Sequence, residues 1–108
     1  MNEMILSELC KTLSSGETAA LATIIETKGS TPRKAGTSML IRRDGRVFGT
    51  IGGGCSEADV RMRALQSFDD GKPCVVEVRM LNDIAAMEGM VCGGIMHVFI
   101  QVFVSAET

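Results

Sequence analysis

The 108-residue sequence contains no tryptophan, no tyrosine and only four phenylalanines. Proteins that bind single-stranded nucleic acid stack bases on aromatic side chains, and nucleic-acid-binding domains usually carry a basic surface. This chain has 11 basic and 13 acidic side chains, which give a formal net charge of −2 at pH 7. The composition therefore argues against a nucleic-acid partner.

Residues that bind metals or form disulfides are also scarce. Histidine occurs once, as His97. The four cysteines lack CxxC spacing; they are Cys10, Cys55, Cys74 and Cys92. Zinc sites need clustered thiols or imidazoles, so a zinc site is not expected. Secreted disulfide scaffolds are denser in cysteine, and Glu3 stands where the first residues of a signal peptide would be basic. We therefore expect a cytoplasmic protein with reduced thiols.

Long hydrophobic runs are missing as well. The longest apolar stretch extends from Ile95 to Val104 and is interrupted by His97 and Gln101. A membrane-spanning helix needs about 20 predominantly apolar residues. No association with a membrane is expected.

What the chain does contain is typical of one small α+β domain covering residues 1–108. The spacing of apolar residues predicts helices over 2–15 and 56–70, and the pattern allows a short third helix over 82–88. Apolar and β-branched runs predict strands over 18–27, 37–43, 46–49, 72–81 and 95–104. Because no G-x-G-x-x-G follows a strand, a dinucleotide-binding domain is excluded. We expect a mixed or largely antiparallel sheet of about five strands with two or three helices.

Several local features refine this prediction. The Asp44-Gly45 dipeptide favours a hairpin with a type I′ turn. Ser56 and Asp59 resemble a capping box at the start of the second helix. The residues predicted to form the core face of that helix are Ala58, Met62, Leu65 and Phe68. Cys10 and Cys74 fit the core faces of a helix and a strand, and His97 is expected to be structural or on the surface.

The stretch from Gly49 to Glu57, GTIGGGCSE, is the most unusual part of the sequence. A strand pattern enters it, three glycines make a turn, and a helix pattern leaves it. This arrangement directs unpaired backbone N–H groups and the positive end of a helix dipole toward one point, which favours an anion. A tight connection with no ligand is the alternative interpretation.

Three loops, 28–36, 50–56 and 89–94, contain the candidate binding residues. The first supplies hydroxyl and cationic donors, the second backbone donors and a thiol, and the third a thiol followed by two glycines. The candidates are Ser30, Thr31, Arg33, Lys34, Gly52, Gly53, Gly54, Cys55, Cys92, Gly93 and Gly94. Arg33 and Lys34 also fit solvated loop charges, and Cys55 also fits a small buried hydrophobe. No catalytic constellation is evident, so the residues indicate a small-anion binder with an accessible thiol rather than an enzyme.

The run from Ala22 to Val60, ATIIETKGSTPRKAGTSMLIRRDGRVFGTIGGGCSEADV, closely resembles the N-terminal domain of the XdhC/CoxI family. The later GMVCGG, Gly89 to Gly94, resembles the second motif of that family. Members are accessory proteins of molybdenum hydroxylases such as xanthine dehydrogenase and carbon monoxide dehydrogenase. The resemblance implies a chaperone that binds the molybdenum cofactor as cargo, helps to sulfurate it and delivers it to the apoenzyme.

By position, the resemblance assigns roles within the three loops. Gly52, Gly53 and Gly54 would receive an anionic group such as the cofactor phosphate, and Ser30 to Lys34 would border the same pocket. Cys55 and Cys92 match the two motif cysteines, one of which would contact molybdenum or relay sulfur, since thiolate suits such a centre. Molybdenum is the only metal that the resemblance implies.

The resemblance also implies partners. These are a molybdenum hydroxylase apoenzyme, a cysteine desulfurase as sulfur donor, and a second copy of the chain in a homodimer. Full-length family members resemble a two-part protein with a C-terminal Rossmann-type domain, which is absent from residues 1–108. Two alternative functions therefore stay open: a sulfur relay that carries a cysteine persulfide, and a structural or regulatory module that pairs with a separate Rossmann-domain protein.

Overall fold

A computed structural model describes residues 3–29, 31, 33–52, 54–81 and 93–104. Within these ranges the chain forms two helices and five strands: α1 Glu3–Ser14, β1 Ala19–Lys28, β2 Ser38–Arg42, β3 Val47–Gly49, α2 Gly54–Asp70, β4 Cys74–Leu81 and β5 Gly93–Phe103. The predicted α+β class and five-stranded sheet are confirmed. The short helix predicted over 82–88 lies outside the described residues.

The five strands form one sheet in the order β3-β2-β1-β5-β4, and every pair of neighbours is antiparallel. β1 is central and pairs with β5 from Ala19↔Phe103 to Lys28↔Ile95, with a register shift between Ile24 and Glu26. The apolar stretch over 95–104 therefore lies inside the sheet, with both edges of β5 paired.

Each helix covers a different face of the sheet. On the α2 side, side chains of alternate residues in β1, β2, β4 and β5 form the larger buried cluster with the helix; they include Ala22, Ile24, Met39, Ile41, Val78, Met96, Val98 and Ile100. On the other side, Ile5 and Leu9 of α1 pack with Leu21 and Leu40. Full burial of such a side chain contributes about 1.5–3 kcal/mol. The two clusters fix both helices on the sheet.

The predicted face of α2 is confirmed at Leu65 and Phe68, which pack in or against the larger cluster, and wrong at Ala58 and Met62. Val60, Ala64 and Phe68 are buried against the sheet, whereas Ala58 is exposed and Met62 has 64% of its surface exposed. The predicted face and the buried face both have helical spacing. The buried face has the small side chain of Ala64 at its centre. Neither described helix is long and apolar enough to cross a membrane.

Two other local predictions are corrected at these helices. Because α2 begins at Gly54, Ser56 lies inside its first turn and does not occupy the cap position before the helix. Cys10 is exposed on α1 rather than buried in the core, because the core face of this helix is formed by Ile5, Leu9 and Thr12. Cys74 does pack against the larger cluster, as predicted.

The Asp44-Gly45 hairpin is present, but its turn is not type I′. Gly45 has φ +93°, whereas no non-glycine residue of the described chain has positive φ, and type I′ requires positive φ at Asp44 as well. Gly45 N–H donates to Arg42 O and Arg42 N–H to Arg46 O, each at 2.9 Å. This pattern fits a three-residue loop that ends in a left-handed glycine.

Candidate functional site

Because all neighbouring strands are antiparallel, the strands begin and end along two opposite sides of the sheet. We call these two sides edges; they run across the strand direction and are not the border strands β3 and β4. At one edge, three connections join the end of one described element to the start of the next: 29–37, 50–53 and 82–92. We call it the loop edge. The connections over 15–18, 43–46 and 71–73 lie at the opposite edge, which we call the turn edge. The three motif-bearing segments of the sequence therefore all start from the loop edge.

The loop edge is staggered. β2 begins at the Thr23↔Ser38 pair, whereas β1 continues to Lys28 and pairs only with β5 beyond that point. Five further residues correspond to about 17 Å at the usual rise per residue of a strand. The β2 and β3 strands consequently end at a step, and the extension of β1, β5 and β4 projects beyond it.

A cleft of about 730 Å³ lies at this step. It brings together α1, the connection between β1 and β2, and the end of β3; its lining residues are Met4, Arg33, Ala35, Gly36, Thr37, Ser38, Gly49 and Thr50. Ligand sites in proteins commonly have volumes of about 300–1,000 Å³. The first two predicted loops thus meet in one cleft of suitable size.

Backbone geometry shapes the floor of the cleft. Gly49 has φ +84°, and a Cβ built on it would lie 2.7 Å from Ile5 Cδ1 and 3.0 Å from Ser38 O. Only glycine allows this conformation and this approach of α1 to the end of β3. On the opposite wall, Gly36 N–H donates to Ile24 O at 2.7 Å and Ile24 N–H donates to Thr37 O at 2.9 Å. The wall at Gly36 and Thr37 is therefore held by hydrogen bonds to β1, and the floor at Gly49 by close packing against α1.

Hydroxyl groups are concentrated at the same place. Thr50 Oγ1 accepts the Gly52 N–H at 3.1 Å and donates to Glu57 Oε2 at 2.6 Å, which ties the cleft to the first turn of α2. The hydroxyls of Ser38 and Thr23 are 3.1 Å apart and hydrogen-bonded. Since the Gly52 N–H and the Thr50 O–H already have acceptors within the protein, the Thr37 hydroxyl and Arg33 are the stronger candidate donors to a ligand.

The cation at the cleft has no carboxylate partner among the described residues. Five other basic side chains form ion pairs: Lys11 with Glu8, Lys28 with Glu26, Arg42 with Glu17, Arg46 with Asp44, and Arg79 with Glu77. Arg33 and Lys34 are exposed, and neither forms an ion pair within the part of the chain that the structure describes. A guanidinium without a carboxylate beside it is free to bind an external anion bidentately.

Those of the remaining predicted residues that the structure describes lie along the loop edge. Thr31 is half-buried and its hydroxyl donates to Arg33 O at 2.9 Å. Gly54 and Cys55 are the first two residues of α2. Gly93 and Gly94 belong to β5, paired with Leu81 and Met80, so the strand starts two residues before the predicted one. Ser30, Gly53 and Cys92 lie outside the described residues.

Most residues that line the cleft were not predicted from the sequence. Arg33 was, whereas Met4, Ala35, Gly36, Thr37, Ser38, Gly49 and Thr50 were not. Gly36 and Gly49 did carry a signal, because each is a glycine at the junction of a loop and a strand. Met4 carried none, since only the packing of α1 brings it there. Within the described residues, no cluster of three or more metal-ligating side chains occurs.

The described residues thus form an antiparallel α+β domain with a cleft at the step of its sheet, and Arg33 at that cleft has no carboxylate partner among them. Residues 12–79 match the model of the XdhC and CoxI family, and the chain belongs to this family. The match includes the cleft residues from Arg33 to Thr50.

Several curated proteins are similar to this chain. An uncharacterized protein, YqeB, of Escherichia coli K12 is 45% identical over 77% of the chain and 15% of its own length. A probable xanthine dehydrogenase subunit of Bacillus subtilis 168 is 40% identical over 76% of the chain and 26% of its own length. The molybdenum cofactor insertion chaperone PaoD of Escherichia coli K12 is 38% identical over 63% of the chain and 21% of its own length. The matches span about a quarter or less of each relative.

A solved structure supports the fold. The crystal structure of a xanthine dehydrogenase from Bacillus halodurans superposes with a TM-score of 0.68 and 29% sequence identity, over 88% of this chain and 29% of that one. The chain thus covers less than a third of the length of that structure.

Proposed function

We propose that this chain is a molybdenum-cofactor-binding accessory domain that takes part in the maturation of a xanthine-dehydrogenase-type molybdenum hydroxylase. Two relatives support this function by name: one is a molybdenum cofactor insertion chaperone, and the other is a probable xanthine dehydrogenase subunit. In this proposal the cofactor is cargo, and the chain acts in the cytoplasm as a carrier rather than as a catalyst.

The observation that carries the proposal is the cleft with Arg33 at its mouth. The cofactor consists of a pterin with a phosphate and a dithiolene, so it presents an anion and a flat ring to its carrier. Arg33 is the group that would bind the phosphate bidentately, and the hydroxyls of Thr37 and Ser38 would donate further hydrogen bonds to it. Met4 and Ala35 give the same cleft an apolar wall for the ring.

In this proposal, the thiols of Cys55 and Cys92 lie close to the molybdenum of the bound cofactor. Cys55 follows Gly54 at the start of α2, directly after the glycine turn. Cys55 and Cys92 are proposed to contact molybdenum or to carry the sulfur that the cofactor receives. A desulfurase, the apoenzyme and a separate Rossmann-domain protein are the proposed partners.

Retention of the cofactor through gel filtration, measured by fluorescence of the oxidised pterin, tests the function. We expect about one cofactor per chain for the wild type and retention at least about tenfold lower for Arg33→Glu, because a hydrogen bond to a charged group contributes about 1.5–3 kcal/mol. Arg46→Glu is the matched control, since Arg46 is an exposed arginine at the turn edge. It should retain the cofactor as the wild type does.

The outcomes separate the function from the site. Wild-type protein that elutes without cofactor would contradict the carrier function. Wild-type retention with equal loss in Arg33→Glu and Arg46→Glu would contradict the assignment of the cleft. Arg33→Lys, which keeps the charge but not the bidentate geometry, should give an intermediate result.

Sulfuration is tested separately. Incubation with a cysteine desulfurase and cysteine should add one sulfur, about 32 Da, to Cys55 or Cys92. Mass spectrometry of Cys55→Ala and Cys92→Ala would identify the carrying thiol. No adduct on the wild type would remove sulfur transfer from the proposed function and leave cofactor binding intact.

A further inference from the structure

The start of α2 and the wall that contains Arg33 offer an anion two different places near the cleft. The positive end of a helix dipole attracts anions, and the family resemblance leads to the expectation that the glycines before α2 receive the cofactor phosphate. Arg33 lines the cleft and has no carboxylate partner among the described residues. The contacts around Thr50 indicate which of the two places suits the phosphate.

A carboxylate already lies at the start of α2. Glu57 is the acidic residue in the first turn of this helix, and it is half-buried. Its Oε2 accepts a hydrogen bond from the Thr50 hydroxyl at 2.6 Å, and Thr50 lines the cleft. The positive end of the helix dipole therefore has a fixed negative charge beside it, one hydroxyl group behind the wall of the cleft.

The same hydroxyl also occupies a backbone donor that precedes the helix. Thr50 Oγ1 accepts the Gly52 N–H at 3.1 Å while it donates to Glu57. A hydroxyl has one proton to donate, so Thr50 has none left for an anion as long as Glu57 accepts it. Glu57 thus acts on this place in two ways, through its own charge and through the hydroxyl that it holds.

The wall with Arg33 has the opposite character. Arg33 is a cation, and Thr37 lines the cleft from the same connection between β1 and β2. None of the described residues that line the cleft is acidic. A guanidinium in such surroundings binds a phosphate bidentately, and a neighbouring hydroxyl adds a further hydrogen bond.

We propose that Glu57 is a specificity-determining residue of the cleft: it excludes an anionic group from the start of α2 and thereby confines the phosphate of the cargo to Arg33 and Thr37. Like charges at close range repel, and the repulsion is stronger where solvent is partly excluded, as at the half-buried Glu57. This inference rests on the proposed function, because the phosphate belongs to the proposed cargo. It assigns an orientation to that cargo, with the phosphate at the connection between β1 and β2 and away from α2.

Titration with inorganic phosphate at constant ionic strength, followed by the amide chemical shifts of the full chain, tests the exclusion. In the wild type we expect the amide of Thr37 to shift and the amides of Gly52 and Gly54 to stay unchanged. Glu57→Gln removes the charge and keeps an acceptor for the Thr50 hydroxyl. In this variant the Gly52 and Gly54 amides should titrate with an affinity for phosphate at least about fivefold higher, since a charge at a helix terminus has an effect of that order.

Two control variants separate exclusion from a general effect on the helix. Glu57→Asp keeps a carboxylate in the first turn and should leave the Gly52 and Gly54 amides unchanged, as in the wild type. Asp59→Asn removes an equal charge from an exposed position two residues further along α2 and should also leave them unchanged. Loss of helix stability would weaken a site at the helix start rather than create one, so gained binding is not a structural side effect. Thermal unfolding of each variant checks that the fold is intact.

Three results would overturn the inference. The first is a wild type whose Gly52 and Gly54 amides shift at the phosphate concentrations that shift Thr37. The second is a Glu57→Gln variant that gains no binding at these amides. The third is an equal gain in Asp59→Asn, which would make the effect one of net charge rather than of the contact with Thr50.

The proposed function is tested by a different measurement. Wild-type protein that elutes without cofactor contradicts the carrier function, whereas the phosphate shifts of the same protein report only where an anion binds. A chain that retains the cofactor but binds phosphate at the start of α2 contradicts the inference and leaves the function intact. Failure of one is therefore distinguishable from failure of the other.

Discussion

The loop edge and the turn edge of the sheet are built differently. At the turn edge, three connections of three or four residues join consecutive elements: 15–18, 43–46 and 71–73. At the loop edge, the connections over 29–37 and 82–92 are much longer, and the third, 50–53, contains two of the three consecutive glycines. Short connections hold a scaffold together, whereas long ones provide surface for binding.

Two arginines at the turn edge also differ from the arginine that lines the cleft. At the turn edge Arg42 donates to Glu17, and this hydrogen bond raises the pKa of the Arg42 guanidinium, while Arg46 pairs with Asp44. At the loop edge Arg33 has no carboxylate partner within the described residues. Arg42 and Arg46 at the turn edge are thus paired with carboxylates, whereas Arg33, which lines the cleft, is not paired within the described residues.

Replacement of a glycine by alanine should lower the free energy of unfolding far more at Gly49, at the loop edge, than at Gly16, at the turn edge. Gly49→Ala places a Cβ against Ile5 and Ser38 O at φ +84°, and we expect it to lower the free energy of unfolding by about 2–4 kcal/mol. Gly16→Ala, at φ +83° with open space around it, should cost only about 1 kcal/mol of backbone strain. Urea unfolding measures both, and equal losses would show that Gly49 is not packed as described.

A smaller contrast is expected for two side chains that each accept a backbone N–H two residues ahead. Thr50→Val removes the acceptor of Gly52 and the donor to Glu57 in a half-buried position, and should cost about 1–2 kcal/mol. Asp44→Ala removes the acceptor of Arg46 at an exposed turn and should cost about 0.5 kcal/mol. If Asp44→Ala proved as costly as Thr50→Val, the turn edge would contribute more to stability than its exposure suggests.

The elements of the fold were predictable because their signals are local. The boundaries of α1 and β1 differ by one residue or so from those predicted, since the spacing of apolar residues is read from the chain itself. The strand order was not predictable in this way. It depends on the long-range pairing of β1 with β5, and no spacing within either strand encodes a partner so distant in the sequence.

Errors arose where a choice depended on tertiary contacts. α2 contains two apolar stripes of similar spacing, and the one with Val60 and Ala64 is buried in the same cluster as Ile24 and Met96 of the sheet. The Asp-Gly dipeptide predicts a hairpin correctly but not its turn type, since one residue in the left-handed region suffices when the loop has three residues.

The candidate site was predicted in part for the same reason. The sequence singled out the loop with Arg33 and the glycine turn, which both stand out locally. It did not show that Thr50 occupies the Gly52 N–H, nor that α1 brings Met4 to the cleft. Assembly of the cleft from three separate segments is a property of the fold and not of any one motif.

The smallest contrast concerns the arginines of the two edges, and it separates binding from stability. Arg33→Gln removes a cation that contributes no ion pair to the described fold, so the free energy of unfolding should change by no more than about 0.5 kcal/mol. Arg42→Gln removes the partner of Glu17 and should lower the midpoint of thermal unfolding at low salt, with the difference shrinking as salt screens the pair. Cofactor retention should show the reverse order, with loss in Arg33→Gln and none in Arg42→Gln. A destabilised Arg33→Gln would mean that this guanidinium supports the loop itself, and the division between the two edges would then fail at its most informative residue.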